Sequence, residues 1–309
     1  MKPGKWKFCV SVVVGLFTLL RDGSCLVVAA SAGRSVPLSD WMAPLPGTNR
    51  ISELSIPGTH DSGALHEPWP NTAQCQVLSI PEQLAAGVRF LDIRCRHVDD
   101  AFKIYHGSAD QRMTFDAVLA DCLEFLKTHP GECIILSVQQ ESTPDGNTRT
   151  FEQTFDMYAK NSAGKWFLKD YIPALDEVRG KLVLFRRFGA SGLPKGIDAS
   201  GWHDNATFWI GRTIRIQDNY IVKDRDAKWA AIKALYAEEG AGKRDVLYLN
   251  FTSGYEPGGL GIPNIRAISN FINPQLTSYF QSAHPGRFGI TVMDFVDSGK
   301  CALIVGTNR

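Results

Sequence analysis

The sequence predicts an α/β chain folded as a (β/α)8-type barrel, closed or nearly closed. Three observations point there. Short apolar strands alternate with helical segments along most of the chain, which implies a parallel sheet covered by helices. The strands number seven or eight, enough to bring a sheet round on itself. Polar residues able to do chemistry cluster where those strands end: His60, Arg94, His106, Gln139, Arg187, Asp218, Asn250 and Asp294. In barrels that end carries the active site. A doubly wound open sheet is the alternative, but no glycine-rich dinucleotide loop supports it.

Each element has its own local reason. Residues 33–50 are rich in Ser, Pro and Gly and read as a wrapping edge segment. Ile51–Ile56 is a strand candidate feeding a PGTHDSG turn, and HEPWPN (66–71) is loop by its prolines. Ile80–Gly87 reads as a short helix with Pro81 in its first turn and Gly87 as its stop. Val88–Arg94 and Phe102–Tyr105 are strands, with Asp99-Asp100 a polar turn between them. Thr114–His129 places Phe115, Val118, Leu119, Leu123 and Leu126 at helical spacing and stops at Pro130-Gly131. Cys133–Val138 is a continuous apolar run of buried-strand type. Thr150–Lys160 and parts of 166–178 read as helical, and Lys181–Phe185 as a strand. Phe188–Phe208 is Gly-, Pro- and Ser-rich and is expected to be one long loop over a site. Thr213–Gln217, Asp245–Phe251 and Phe288–Met293 are strands, while Val222–Glu239 and Pro263–Phe280 are helical. Residues 300–309 are too few to place.

A chain of 309 residues suits one large domain after a leader. Lys2, Lys5 and Lys7 precede the apolar stretch Phe8–Leu20, and Ala30-Ser31-Ala32 offers an A-x-A cleavage site. The expectation is a signal peptide over 1–32, a single catalytic domain over 33–309, and a secreted product. A membrane anchor is the competing reading, but thirteen apolar residues fall short of the ~20 that a spanning helix needs. A net charge of +1 argues against nucleic acid and against a strongly basic membrane surface. Five cysteines remain after residue 32, an odd count, so at most two disulfides can form. No zinc-ligand spacing occurs.

By chemistry alone, two histidines, carboxylates and an arginine at strand ends suit phosphoryl transfer. One histidine takes a proton from an attacking hydroxyl and the other gives one to the leaving oxygen. Arg94 offers a planar fork to two phosphate oxygens, and a carboxylate fixes the tautomer of the basic histidine. No metal or other cofactor is required, because the arginine supplies the positive charge. Singly, each residue has a plainer reading: His60 as a turn residue, Arg94 as the balance for Asp92, Asp294 as a helix cap. Their occurrence as a set favours catalysis. His97, His129, His203 and His284 lack such context and are expected to be structural or solvated.

LSIPGTHDSG, RFLDIRCR and YHG, in this order and spacing, resemble the catalytic X region of phosphatidylinositol-specific phospholipase C in its small, secreted, bacterial-type form. The resemblance continues through CIILSVQQE, KLVLFRRF, IRIQDNY, LYLNFTSG and TVMDF, roughly residues 48–296. It implies a distorted, incompletely closed TIM-type barrel that cleaves phosphatidylinositol to diacylglycerol and inositol 1,2-cyclic phosphate. By motif, His60 resembles the general base, His106 the general acid and Arg94 the phosphate-binding arginine. Asp61 resembles the carboxylate working beside Arg94 and His106, Asp294 the partner of His60, and Asp92 a supporting carboxylate. Arg187, Asp218 and Tyr220 resemble the inositol pocket. Where the best-known bacterial members carry a lysine toward the inositol, Gln139 or Gln140 stands here, which bears on headgroup specificity more than on reaction class.

The implied partner is phosphatidylinositol in a membrane surface, with glycosylated inositol lipids as a further substrate, peripheral membrane contact and a monomeric enzyme. Trp69, Tyr255, Trp202 and Trp209 are candidate interface anchors on the rim, unless their rings pack on the domain. Two alternatives stay open: a metal-dependent barrel phosphodiesterase of glycerophosphodiesterase or sphingomyelinase D type, and a secreted inositol-lipid-binding module without turnover.

Overall fold

The computed structural model describes residues 36–259 and 262–308. The expected signal peptide, with Cys9 and Cys25, lies outside the described residues. From Val36 onward the chain forms one unit. Its strands are β1 (Ile56–Thr59), β2 (Phe90–Val98), β3 (Ala101–His106), β4 (Ala109–Thr114), β5 (Ile134–Gln140), β6 (Trp166–Phe167), β7 (Leu182–Arg187), β8 (Ile197–Asp198), β9 (Ala206–Ile210), β10 (Ile214–Asp218), β11 (Leu247–Phe251), β12 (Glu256–Pro257), β13 (Pro263–Asn264) and β14 (Ile290–Met293). Its helices are α1 (Ile80–Ala85), α2 (Phe115–Thr128), α3 (Phe151–Asn161), α4 (Leu175–Val178), α5 (Arg225–Ala241), α6 (Ile265–Gln281) and α7 (Ser298–Gly306). Thr114, Thr150, Asp224, Asn264 and Asp297 cap α2, α3, α5, α6 and α7, each side-chain oxygen accepting from a first-turn N–H.

The main sheet runs β6-β7-β5-β2-β1-β14-β11-β10-β9. All of these pairings are parallel except β9 on β10. β8 continues the β7 edge past β6. Among the described residues no pairing joins that edge to β9, so the barrel is curled and left open. That is the α/β barrel the sequence predicts, in its incompletely closed form.

Strand geometry sorts the core into two sides. Successive side chains alternate faces, so residues two apart share one. Ile56, Phe90, Ile135, Val183, Phe185, Ile216, Leu249, Ile290 and Val292 fill the interior. Leu91, Ile93, Ile134, Leu136, Leu182 and Leu184 face outward onto α1, α2 and α3. The interior parity carries straight on to His60, Asp92 and Arg94, Gln139, Arg187, Asp218 and Asp294. Asn250 has the outward parity. It bonds Gln217 and the Ile232 carbonyl and sits 1% exposed, so its place among the expected strand-end site residues is a structural one.

Several boundaries differ from expectation for local reasons. Ile51–Glu53 is a 3-10 turn closed by an Arg50–Glu53 box, and the strand starts at Ile56. Pro57 lies inside β1, where its carbonyl still accepts from the Arg89 N–H at 2.9 Å. β3 leaves the barrel as a hairpin on β2, turning through Asp99 and Asp100 at φ +52° and +59°, a two-residue turn that acidic residues tolerate. It pairs onward with the unforeseen β4. The segment 188–208 is not all loop, since it contains β8 and the start of β9. The final residues form α7, packed on β1 and α6. Cys75, Cys95, Cys122, Cys133 and Cys301 are all buried free thiols, so the disulfides left open by the count do not form among the described residues.

The amino-terminal end of the barrel is sealed by a fully buried ion pair. Arg89 Nε meets Glu132 Oε2 at 2.8 Å, and Glu132 Oε1 accepts from the Met42 and Ala43 N–H groups. The remaining Arg89 donors bond the Leu38, Ser39, Leu84 and Val88 carbonyls. Glu132→Ala strands a buried guanidinium and releases the edge segment, so unfolding in urea should lose about 3–5 kcal/mol.

Candidate active site

The turn after β1 sets the site. Asp61 sits at φ +41°, in the left-handed region, and this bend aims His60 and Asp61 into the barrel mouth. Buried Gln76 fixes the bend from outside. Its Nε2 donates to the His60 carbonyl at 2.9 Å and to the Met293 carbonyl at 2.8 Å, tying the ends of β1 and β14. Gln83 donates in the same way to the Ser62 carbonyl and accepts from Thr59 Oγ1.

Hydrogen bonding assigns the tautomer of His60. Arg94 Nη2 lies 2.9 Å from His60 Nε2, and a guanidinium can only donate, so Nε2 carries the lone pair. The proton is therefore on Nδ1, which donates to Asp294 Oδ1 at 2.8 Å. Burial alone would lower the imidazole pKa, but the Asp294 carboxylate outweighs it and raises the value above the ordinary 6.5.

His106 faces His60 across the mouth with ring centroids 6.3 Å apart and planes nearly perpendicular. Its Nδ1 donates to the Ala73 carbonyl at 2.8 Å, which leaves Nε2 toward the cleft. Asp61 Oδ2 lies 3.8 Å from that Nε2 and 3.6 Å from Arg94 Nε. Neither Asp61 oxygen has a hydrogen-bond partner, and burial raises its pKa despite His106 and Arg94 nearby.

Asp92 anchors both arginines. Its Oδ2 is 3.3 Å from Arg94 Nε, its Oδ1 is 3.2 Å from Arg187 Nη1, and it accepts from the Asp61 N–H. Burial would raise this carboxyl, but the two cations reverse the effect and bring it to about 2. Arg94 is correspondingly held well above its ordinary range; burial opposes this, and Asp92 and Asp61 overcome it.

The cleft above these residues has a volume of about 590 Å³. Its far wall holds Arg187, Asp218 and Tyr220. Trp202 joins them: the Arg187 guanidinium stacks 3.6 Å above its ring, and its Nε1 donates to Asp218 Oδ2 at 3.1 Å. Trp202 is thus a pocket wall rather than an exposed anchor. Tyr220 is held by a 2.6 Å bond to Asp204 and leans on Tyr255, which is half-buried. Gln139 lines the near wall, its Nε2 donating to Glu141, while Glu141 also accepts from the Gly107 N–H. Of the remaining rim aromatics, Trp69 stands 73% exposed beside the cleft residue Thr72. Trp209 pairs with Arg215 in the amino-terminal half of β10, away from the mouth.

Among the described residues, two groups have ligand-type atoms close enough for a metal ion: His60, Cys75 and Asp294, and Asp61, Cys75 and His106. Arg94 lies against both groups, and a second cation beside it would be repelled. Cys75 is fully buried, and burial pushes its thiol well above the ordinary value, so it is a poor ligand. This donor set does not suit a resident metal.

Two facing histidines, each near its own carboxylate, and a half-buried arginine at the carboxyl end of a parallel barrel form an acid–base site of the kind that acts on phosphate esters. The model of the phosphatidylinositol-specific phospholipase C X domain matches residues 54–188. The chain is 32% identical to a 1-phosphatidylinositol phosphodiesterase of Staphylococcus aureus, covering 94% of both proteins. It is 34% identical to the enzyme of that name from Listeria monocytogenes, covering 89% of this chain and 86% of that one. A crystal structure of the S. aureus phosphatidylinositol-specific phospholipase C superposes with a TM-score of 0.79 at 29% identity, covering 88% of this chain and 98% of that one. The chain belongs to the phosphatidylinositol-specific phospholipase C family.

The His60–Asp294 pair has a direct spectroscopic consequence. The His60 ring should titrate above 6.5 by NMR. In Asp294→Asn the main raising influence is gone and only Asp61 opposes burial and Arg94, so the same resonance should titrate lower than in the wild type.

Proposed function

We propose that this chain cleaves phosphatidylinositol to diacylglycerol and a cyclic inositol phosphate by acid–base chemistry between His60 and His106. The observation that carries the reading is the 2.9 Å contact between Arg94 and the lone pair of His60, with His106 facing them across the cleft. A phosphate entering this gap draws the guanidinium onto its oxygens. The inositol hydroxyl next to the phosphate then takes the place of Arg94 at His60 Nε2. Its proton passes to His60, and its oxygen bonds to phosphorus. The phosphorus–oxygen bond to diacylglycerol breaks, and that oxygen takes a proton from His106. Asp294 stabilises the imidazolium formed at His60, Asp61 stands beside His106 Nε2, and Asp92 holds Arg94 in reach. Arg187, Asp218, Tyr220 and Gln139 bind the headgroup.

The enzyme works outside the cell as a monomer spanning residues 33–309 once the leader 1–32 is removed. It docks peripherally on the membrane, and its substrates include glycosylated inositol lipids. One solved S. aureus relative, 28% identical with a TM-score of 0.79, concerns modulation of that enzyme's membrane binding. Trp69, exposed beside the mouth, is the anchor assigned to this chain.

Protein lacking residues 1–32 should turn over phosphatidylinositol vesicles in EDTA, with phosphorus NMR reporting a cyclic product. His60→Ala should lower the rate by about 10²–10⁴. Turnover that needs added calcium or magnesium would overturn the reading. Trp69→Ala should reduce vesicle activity roughly tenfold while sparing soluble inositol cyclic phosphate. An equal loss on both substrates would exclude Trp69 as an anchor.

A further inference from the structure

Behind the headgroup wall, on the outer face of β10 and β11, lies an amine that the chemistry above does not use. Lys228, in the first turn of α5, is 3% exposed. An ammonium placed between a helix and a sheet costs free energy unless it is bonded. Here Nζ donates to Gln217 Oε1 at 3.0 Å and to the Phe251 carbonyl at 2.7 Å. Burial lowers the amine to about 8, against the pull of Asp218 and Asp294, so it keeps its charge at neutral pH.

Both acceptors belong to the site's frame. Gln217 Oε1 also accepts from the Asn219 N–H at 2.9 Å, so it pins the chain between Asp218 and Tyr220. Gln217 Nε2 donates to Asn250 Oδ1 and to the same Phe251 carbonyl, each at 2.8 Å. On the inner face, the Phe251 ring stands edge-on to His60 at 6.2 Å and to Trp202 at 5.7 Å. One buried cation therefore holds, through single intermediates, the backbone that presents Asp218 and Tyr220 and the ring beneath His60 and Trp202.

We propose that Lys228 is a positioning residue for headgroup binding, acting through Gln217 and the Phe251 carbonyl on Asp218, Tyr220 and Trp202. It does not touch substrate. His60 keeps its own anchors, Asp294 on Nδ1 and Gln76 on its carbonyl, so removal of the lysine chiefly loosens the wall that receives the inositol ring and the loss falls on substrate binding.

This inference rests on the proposed phosphatidylinositol cleavage, and one set of assays separates the two. If the wild-type protein does not release cyclic inositol phosphate from phosphatidylinositol vesicles, the functional reading itself fails. If it does, Lys228→Met should raise KM about tenfold and change kcat less than about threefold, within the range seen when a supporting hydrogen bond is lost. Lys228→Arg, which keeps a buried cation and its donors, should recover most of the KM. Gln217→Met, which cuts the relay and leaves the lysine intact, should raise KM at least about fivefold. It also decides the case if circular dichroism shows Lys228→Met unfolded. A folded Lys228→Met or Gln217→Met with wild-type KM, or a loss confined to kcat, would overturn the proposal.

Discussion

A buried carboxylate between two half-buried arginines is the constraint on which the site depends. Asp92 rises from β2 at the interior parity and meets Arg94 on one side and Arg187 on the other. Two guanidinium groups in a low-dielectric mouth repel each other and lose their water. The shared carboxylate, with Asp61 beneath Arg94 and the Trp202 ring beneath Arg187, makes the arrangement tolerable. It also fixes the distance between Arg94 and Arg187. The two sides of the cleft floor are therefore set by one side chain, and the rest of the barrel keeps it dry and in place.

Much of this is legible in the sequence because a strand has a simple rule. FLDIRCR contains Phe90, Asp92 and Arg94 on one face, and TVMDF contains Val292 and Asp294 on one face. Apolar residues set the inward parity, and polar ones that keep it at the carboxyl end reach the mouth. His60, Arg94, Gln139, Arg187, Asp218 and Asp294 all obey this rule. Asn250 does not, since Leu249 and Phe251 take the inward positions beside it. The same parity test applied to LYLNF assigns Asn250 to the helix-facing side.

What the sequence hides are contacts between segments far apart in it. Nothing in QCQVLSIPEQ marks Gln76 and Gln83 as the clamps on the His60 turn, because a buried glutamine looks like any surface one until its partners are known. Arg89 and Glu132 each precede a strand, and only the fold reveals them as a pair. Trp202 lies in a Gly- and Ser-rich stretch that reads as loop. Its role comes from Arg187 and Asp218, which reach it from other strands. The β3–β4 hairpin was half visible: Asp99-Asp100 marks the turn, but β4 carries Gln111 and Arg112 among few apolar residues and lacks a strand pattern. Trp209 illustrates the limit of proximity in sequence, for β9 runs antiparallel and carries it toward the opposite end of the barrel.

The sheet brings β1 and β14 side by side, so the first and last strands of the barrel are neighbours. His60 and its partner Asp294 are separated by 234 positions along the chain. While the polypeptide is being made, His60, Arg94, His106 and Arg187 exist long before the last strand does. The tautomer-fixing carboxylate and the Met293 carbonyl that Gln76 grips arrive only at the end. The His60–Asp294 pair is therefore completed only in the finished chain. A chain that ended before β14 would carry both histidines and Arg94 but lack the carboxylate that bonds His60 Nδ1 and the strand that lies beside β1.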